Sequence, residues 1–529
     1  MYFFLVGPPG IGKSTVARVL AARLGARIVE IDAVIERRTR KPNRDTIDHD
    51  GMDRFRDLET QALASLVPTP AWTVVDTGGG TPIREANRAR MRELGVIVGL
   101  RGTRARVTRG IAATIEKRPT MAFTPAERAR HAFADPQRRA GYRDVDVTFD
   151  VGESSGDEIA AAILRWLAFE RGLRVDVGAE NPYPVLIRAG LLDGVGALLA
   201  DRGWSGRVAL VTERNVAAAF APRVSASLAA AGLDPVTVRM PSGEAAKSLR
   251  AVNDLWRHLA ETRLGRDGGI VALGGGALGD AAGFAAATYL RGVRVAQVPT
   301  TLLAMVDASI GGKTAIDIAA GKNLVGAFHQ PDAVLADVAA LATLPPRQRA
   351  SGLAEVIKTA FLTDRASVEQ IERAIPGVLR GEIGPSLASV TLAAEVKASV
   401  VTADPTEQGL RALLNFGHTM GHAYEAGGGY RATHGEAVAV GLVYATALAE
   451  ILGLTDERFR TDLERLLTAS GLPTRARLPH KAWVLLARDK KVRAGKVQWI
   501  LPRKVGRFSL VTDVPLRALR AAARVVEAT

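Results

Sequence analysis

The 529-residue sequence contains no cysteine. That excludes disulfides and thiolate metal sites and fits a reducing compartment, so the expected location is the cytoplasm. Nor does the sequence contain an uninterrupted apolar run expected to cross a bilayer as a helix. Met1 leads straight into an apolar strand and a glycine loop, with no basic segment and no small-residue cleavage site, so secretion is not expected. Internal repeats and low-complexity tracts are also missing. Acidic residues are in deficit, with 55 Asp and Glu against 70 Lys and Arg, for a net charge of +15. The excess is spread along the chain and not gathered in a tail. Nucleic acid is therefore the least favoured account of it, behind general arginine loading of the surface and cationic pockets for phosphate and carboxylate substrates. Neither a nucleic-acid nor a membrane partner is expected.

What is present is the balance of a globular protein, 47% hydrophobic and 24% charged. The length suggests roughly three or four folding units. The fold class is α/β, in three parts. Residues 1–170 alternate strands and helices and read as a parallel sheet with flanking helices. Residues 171–182, with Gly178, Asn181 and Pro182, read as a linker ahead of Pro184. Residues 183–345 alternate again, with strands expected at 208–212 and 269–273. In 346–529 strand signals mostly vanish, and stretches such as 386–401 and 436–452 read as helices.

The N-terminal motif is Gly7-Pro8-Pro9-Gly10-Ile11-Gly12-Lys13-Ser14, between a strand and a helix. It fits the phosphate loop G-x-x-x-x-G-K-[ST] in its required context. Gly10 and Gly12 let backbone N–H groups turn onto a phosphate chain, Lys13 adds a charge near the outer phosphates, and Ser14 offers a hydroxyl to Mg²⁺. The motif specifies a nucleoside triphosphate and says nothing about the acceptor.

The acceptor follows from Val29-Glu30-Ile31-Asp32, Arg54-Phe55-Arg56-Asp57-Leu58-Glu59 and Gly78-Gly79-Gly80. With the phosphate loop, these blocks resemble shikimate kinase over residues 3–168. The resemblance implies a P-loop kinase domain using ATP with Mg²⁺, in which Thr15 joins the nucleotide loop and Arg118 serves as the lid arginine. It also implies that Asp32, Arg56, Gly78, Gly79, Gly80 and Arg138 bind shikimate, with Asp32 orienting the attacking hydroxyl. An arginine fork suits a carboxylate, and an aspartate can accept a hydroxyl's hydrogen. Taken alone, Asp32 also reads as a helix N-cap. Glu30 stands where the family usually has an aspartate.

A second glycine run, Gly274-Gly275-Gly276-Ala277-Leu278-Gly279-Asp280, follows a strand and precedes a helix. It is not G-x-G-x-x-G, yet it can bring backbone to a pyrophosphate at a helix N-terminus. Beyond it lie Arg291-Gly292, Val298-Pro299-Thr300-Thr301, Asp307, Gly311-Gly312-Lys313, Gly321-Lys322-Asn323, Glu355-Val356-Ile357-Lys358, Asn415-Phe416-Gly417-His418-Thr419-Met420-Gly421-His422 and His434-Gly435-Glu436. This ordered set resembles 3-dehydroquinate synthase over residues 183–520.

The resemblance implies a Rossmann-like NAD-binding domain, then a mainly helical metal- and substrate-binding domain. NAD contacts fall on Glu213, Asn215, Glu244, Lys247, Gly275, Gly276, Asp280, Thr300, Thr301, Lys313, Lys322 and Thr343. Contacts to the heptulosonate phosphate fall on Arg291, Lys313, Asn323, Lys358, Lys397, Arg411 and Lys490. Glu355, His418 and His434 make a plausible oxygen–nitrogen–nitrogen site for zinc or cobalt, with His422 left as an acid/base. Lys358 and Asp307 join it as catalytic groups. His418 and His422 are four apart and share a face if helical. Their His-Thr-Met-Gly-His sequence lacks the second-position glutamate of a zinc protease.

The implied reaction converts 3-deoxy-D-arabino-heptulosonate 7-phosphate to 3-dehydroquinate. NAD oxidises one ring carbon with the metal polarising its hydroxyl, phosphate leaves, NADH returns the hydride, and the opened ring closes by an aldol step. The family arrangement also implies a homodimer, with Arg291 reaching the partner's site. Two rival readings stand beside this one. An NAD- and metal-dependent polyol dehydrogenase shares the fold but would not need Lys313, Lys358, Lys397 and Arg411. The N-terminal third could be a degenerate kinase kept as a nucleotide-binding or docking module.

Overall fold

The computed structural model describes residues 1–113, 124–178, 182–429, 431–486, 492–493 and 496–527. Two compact units emerge, Met1–Leu167 and Ala168–Thr529.

The first unit is built on strands β1 (Tyr2–Val6), β2 (Arg27–Glu30), β3 (Thr73–Asp76), β4 (Gly95–Arg101) and β5 (Val147–Asp150). They run parallel in the order β2-β3-β1-β4-β5. Central β1 is apolar at every position and buried along its whole length, as a strand covered on both faces must be. The chain leaves β1 through the phosphate loop into the helix Lys13–Leu24, with Gly10 and Gly12 in left-handed backbone (φ 80° and 110°).

The second unit holds β6 (Leu173–Val177), β7 (Tyr183–Arg188), β8 (Arg207–Glu213), β9 (Asp234–Met240), β10 (Gly269–Gly274), β11 (Arg294–Pro299), β12 (Lys313–Ile318), β13 (Gly321–Phe328) and β14 (Ala333–Asp337). Seven form one sheet in the order β6-β7-β14-β11-β10-β8-β9, while β12 and β13 make a separate antiparallel hairpin. All pairs in the seven-stranded sheet are parallel except β6 with β7. The segment expected as a linker, 171–182, therefore supplies an edge strand. Gly178 and Pro182 stand between two antiparallel partners of one sheet, not at a break between domains.

From Pro346 the described chain is mainly helical, and the sheet and helices expected as separate domains (183–345 and 346–529) fall within one compact unit. The 21-residue helix Ile383–Ala403 is long and apolar enough to cross a bilayer. It is mostly buried, however, packed against the helices Pro346–Thr363 and Arg365–Arg380, as the core helix of this part.

Candidate active sites

In the first unit, Lys13 is buried and its Nζ donates to the carbonyls of Gly7 (3.0 Å) and Pro8 (3.3 Å), which holds the ammonium over the loop. Ser14 Oγ donates to Asp76 Oδ2. Asp76 ends β3, in register with Glu30 of β2 and Leu5 of β1, so the parallel sheet delivers a carboxylate to the loop serine. Sequence reasoning did not single out Asp76. Its signal was an acid ending an apolar strand two residues before a glycine triplet.

Asp32 lies in the first turn of the helix Ile31–Thr39, whose N-cap is Glu30, so the capping reading of Asp32 does not hold. A Cβ on Gly78 would stand 3.2 Å from Asp32 Oδ1, and one on Gly79 2.8 Å from Pro9 Cγ. The triplet thus lies between the phosphate loop and the carboxylate. Gly80 is covered by the Arg56 guanidinium, which would stand 1.7 Å from a Cβ there. Arg56 is held by fully buried Glu59 (NH1 to Oε2, 2.5 Å), whose other oxygen accepts from Thr81 Oγ1 at 2.7 Å. Arg138 NH1 and Tyr142 OH both donate to the Gly79 carbonyl. Asp32, Arg56, Gly78–Gly80 and Arg138 therefore converge beside the loop. Arg118 lies outside the described residues.

In the second unit, the ends of β8, β10 and β11 bring Glu213, Gly275, Gly276, Thr300 and Thr301 to one edge, the carboxyl end of parallel strands where ligands commonly bind. Asn215 is the second residue of the helix Arg214–Ala230 after β8, and Thr343 lies beyond β14. Glu213 Oε2 accepts from Gly243 N at 3.1 Å, tying this edge to the turn Gly243–Lys247. Buried Lys247 joins Asp280 (2.5 Å) to Asn323 Oδ1. Burial raises the Asp280 pKa, and Lys247 opposes that rise. Asn323, expected at the substrate, here meets an expected NAD residue. From the same hairpin, Lys322 reaches Glu244 Oε2 (3.2 Å) and Glu425 Oε1 (3.1 Å), while Lys313 pairs with Glu407.

The histidine cluster is assembled by helix starts and one close crossing. His418 opens the helix His418–Gly427, which puts His422 one turn along it, with ring centroids 5.1 Å apart. His434 opens the helix His434–Ile451, where Thr433 and Glu436 form a capping box. Glu436 also takes both arms of Arg347 (2.7 and 2.8 Å), from the helix carrying Glu355. Gly435 crosses that helix so closely that a Cβ would stand 2.0 Å from the Ser351 carbonyl. His434 and Glu355 are thereby brought together.

Glu355 Oε1 lies 3.4 Å from His418 Nε2 and 3.5 Å from His434 Nε2. Glu355 Oε2 pairs with Lys358, whose Nζ also donates to the Leu414 carbonyl at 2.8 Å. Buried Oε1 accepts no hydrogen bond from the described residues, a costly state for a carboxylate oxygen and one that a cation would relieve. Burial would raise the Glu355 pKa, but Lys358 and His434 hold it at about 2. Burial would likewise keep His434 neutral, but Glu355 and Glu425 outweigh it and raise its pKa to about 10. The three histidines offer nitrogens within 4.8 Å of one another, so His422 also lies within reach of a shared ion.

Three of the cations expected at the substrate are buried, and one of them, Lys358, touches the cluster through Glu355. Lys397 binds the backbone carbonyl and carboxylate of Asp307, and Arg411 donates to the carbonyls of Pro405 (2.7 Å) and Gly311 (3.2 Å). Burial would raise the Asp307 pKa, yet Lys397 holds it at about 2, and burial lowers the pKa of Lys397 itself. Sequence reasoning passed over Asp404, Glu407 and Glu425 and gave Asn415 no separate role. Asp404 accepts from the backbone of Gln408, Gly409 and Arg411 and so shapes the loop, while Glu407 bridges Lys313 and Asn415. Arg291 is exposed, in left-handed backbone (φ 63°) after Leu290 (φ 50°). Lys490 lies outside the described residues.

These sites and folds define an enzyme that joins a P-loop phosphotransferase to an α/β-plus-helical enzyme with a carboxylate–histidine centre. Residues 9–168 match the family model for shikimate kinase, 237–351 that for the 3-dehydroquinate synthase N-terminal part, and 352–492 that for its C-terminal part. The 3-dehydroquinate synthase of Symbiobacterium thermophilum is 45% identical over 346 residues, 64% of this chain and 97% of that protein. That of Sinorhizobium medicae is 43% identical over 359 residues, 66% and 94% of the two chains. Among solved structures, 2-epi-5-epi-valiolone synthase from Streptomyces hygroscopicus subsp. jinggangensis, with NAD⁺ and Zn²⁺ bound, is 28% identical with a TM-score of 0.62, covering 67% of this chain and 99% of that one. A 2-deoxy-scyllo-inosose synthase complexed with carbaglucose-6-phosphate, NAD⁺ and Co²⁺ is 25% identical with the same TM-score and coverage. The chain belongs to the 3-dehydroquinate synthase family and carries a shikimate kinase domain at its N-terminal end. That membership sets aside the polyol dehydrogenase reading.

Proposed function

We propose that the chain converts 3-deoxy-D-arabino-heptulosonate 7-phosphate to 3-dehydroquinate and phosphate, and also transfers phosphate from ATP to shikimate. The observation that carries the first activity is one cluster in which buried Glu355 and His418 meet the more exposed His422 and His434, with Lys358 paired to Glu355 and the cations Lys397 and Arg411 buried in the same unit. A substrate with both a phosphate and a carboxylate needs several cations, and a buried cation is tolerated only where a partner is present or expected.

Glu355, His418 and His434 would hold a zinc or cobalt ion, and the orphaned Glu355 oxygen supports that donor set. The β8–β10–β11 edge with Glu244 and Lys247 would hold NAD. When bound, the ion supplies Lewis-acid polarisation of a hydroxyl and NAD accepts and returns a hydride. His422 would move a proton at the substrate from its place one turn beyond His418. Lys358 holds Glu355 charged, and Lys397 holds Asp307 charged, so both carboxylates stay ionised near neutral pH. Arg411 would meet the substrate's anionic groups.

In the first unit, Gly10, Gly12, Lys13 and Thr15 would hold the ATP phosphates, and Ser14 with Asp76 would hold its Mg²⁺. Arg56 and Arg138 would grip the shikimate carboxylate, and Asp32 would orient the attacking hydroxyl. We place NAD on residues 183–345 and the ion on 346–529. The synthase part would act as a homodimer, with Arg291 serving the partner's site.

Assaying both reactions on the purified full chain tests the proposal. ADP formation that depends on shikimate, together with phosphate release from the heptulosonate, supports it. Nucleotide binding without shikimate-dependent ADP would instead assign the first unit to docking or sensing.

A further inference from the structure

We infer that Glu425 is a positioning residue for the cation site, and that through Lys322 it links that site to the NAD surface. The inference rests on the cation and NAD assignments proposed above.

Glu425 shares the helix His418–Gly427 with two of the histidines. Positions 418, 422 and 425 are spaced four and three apart, so all three lie on one face. Glu425 Oε2 is 3.4 Å from Nδ1 of His434, while His434 Nε2 faces Glu355 at 3.5 Å. The imidazole is therefore flanked by a carboxylate at each ring nitrogen. An imidazole that donates one nitrogen to a cation needs its opposite N–H held. A carboxylate in that place fixes the tautomer and ring plane and strengthens the donor. Glu425 occupies that place, with its side chain only 12% exposed.

The second oxygen of Glu425 extends the arrangement. Its Oε1 meets Lys322 Nζ at 3.1 Å, and the same ammonium meets Glu244 at 3.2 Å. Lys322 is thus shared between a carboxylate that orients His434 and one expected to receive the NAD ribose. When ribose hydroxyls engage Glu244, its hold on Lys322 changes. The change passes to Glu425 and from there to His434. Linkage makes the effect reciprocal: NAD alters cation affinity by the factor by which the cation alters NAD affinity.

The test is a Co²⁺ titration of the full-length protein, followed by visible absorption and by chelator competition, with and without NAD⁺. It is run on wild type, His434→Ala, Glu425→Gln, Glu425→Asp and Lys322→Gln, with circular dichroism to confirm folding. Wild type should bind one Co²⁺, and His434→Ala should lose it. Glu425→Gln should weaken Co²⁺ by about 10- to 100-fold and shift its spectrum, with Glu425→Asp restoring part of both. NAD⁺ should change the wild-type Co²⁺ affinity by about fivefold or more. Lys322→Gln should keep the ion but abolish that linkage, which keeps the idea testable if Glu425→Gln does not fold. Wild-type affinity and spectrum in Glu425→Gln, or undiminished linkage in Lys322→Gln, would overturn the inference and leave the cation site standing. Failure of wild type to bind Co²⁺, or retention of Co²⁺ by His434→Ala, would overturn the underlying assignment and this inference with it.

Discussion

Glu355 and His434 lie on different helices, yet Oε1 of the first stands 3.5 Å from Nε2 of the second. The crossing of Gly435 against Ser351 allows that approach. Their juxtaposition predicts that His434→Ala abolishes metal retention and dehydroquinate formation while shikimate phosphorylation stays near wild type. The loss of metal affinity should exceed the roughly 100-fold that an outer hydrogen-bonding partner can account for. Metal analysis of the dialysed variant checks this, and normal metal content would remove His434 from the ligand set.

Arg56 lies on Gly80, so Gly80→Ala should push the guanidinium off its seat without unfolding the domain, because the obstructing atoms end a flexible side chain. The shikimate KM should rise about tenfold while the ATP KM holds, corresponding to about 1.4 kcal/mol. Arg56→Lys should show the same split, because lysine keeps the charge and loses the two-pronged contact. Steady-state kinetics with each substrate varied would check both. Equal changes in the two KM values would mean that Arg56 does not touch the acceptor.

Asp307→Asn should leave Lys397 a buried cation without its partner, destabilising the protein by about 3 kcal/mol at pH 6. Burial already lowers the Lys397 pKa, and losing Asp307 lowers it further. The folded variant then binds fewer protons than the unfolded chain as pH rises toward the ordinary lysine value, so its stability increases with pH. Denaturant unfolding at pH 6 and pH 9 should show the gap from wild type narrowing at pH 9. A constant or widening gap would contradict the assignment.

Both strand–glycine–helix runs and the histidine pair were legible because each is set by neighbours in sequence. A loop after a strand and two histidines one helical turn apart need no knowledge of the distant chain. The residues that were missed act across long separations. Asp76 meets Ser14 from 62 positions away, Glu407 meets Lys313 from 94, and Lys322 meets Glu425 from 103. An isolated acid has no periodic signature, and only the fold pairs it. Strand β6 was hidden for a different reason. It pairs antiparallel with its immediate successor, so Gly178 and Pro182 between the two strands, and Pro184 inside β7, read as an open connection.

Arg291 is exposed on its own chain, where it is free to serve a second copy. Mixing inactive Arg291→Ala with inactive His422→Ala chains should restore some synthase activity, because one site of each mixed dimer keeps both residues. The ceiling is one intact site in two. Light scattering should give about twice the chain mass. Confirmed mixed dimers without rescue would return Arg291 to its own chain or to packing.

The central claim is that the second unit uses NAD as a returning catalyst beside a Glu355–His418–His434 ion. The most direct measurement follows phosphate, dehydroquinate and NADH together when the full chain, with Zn²⁺ or Co²⁺ and NAD⁺, turns over the heptulosonate phosphate. Phosphate and dehydroquinate should appear in equal amounts over many turnovers with no net gain of NADH. NADH accumulating in step with substrate loss, without phosphate release, would contradict the account.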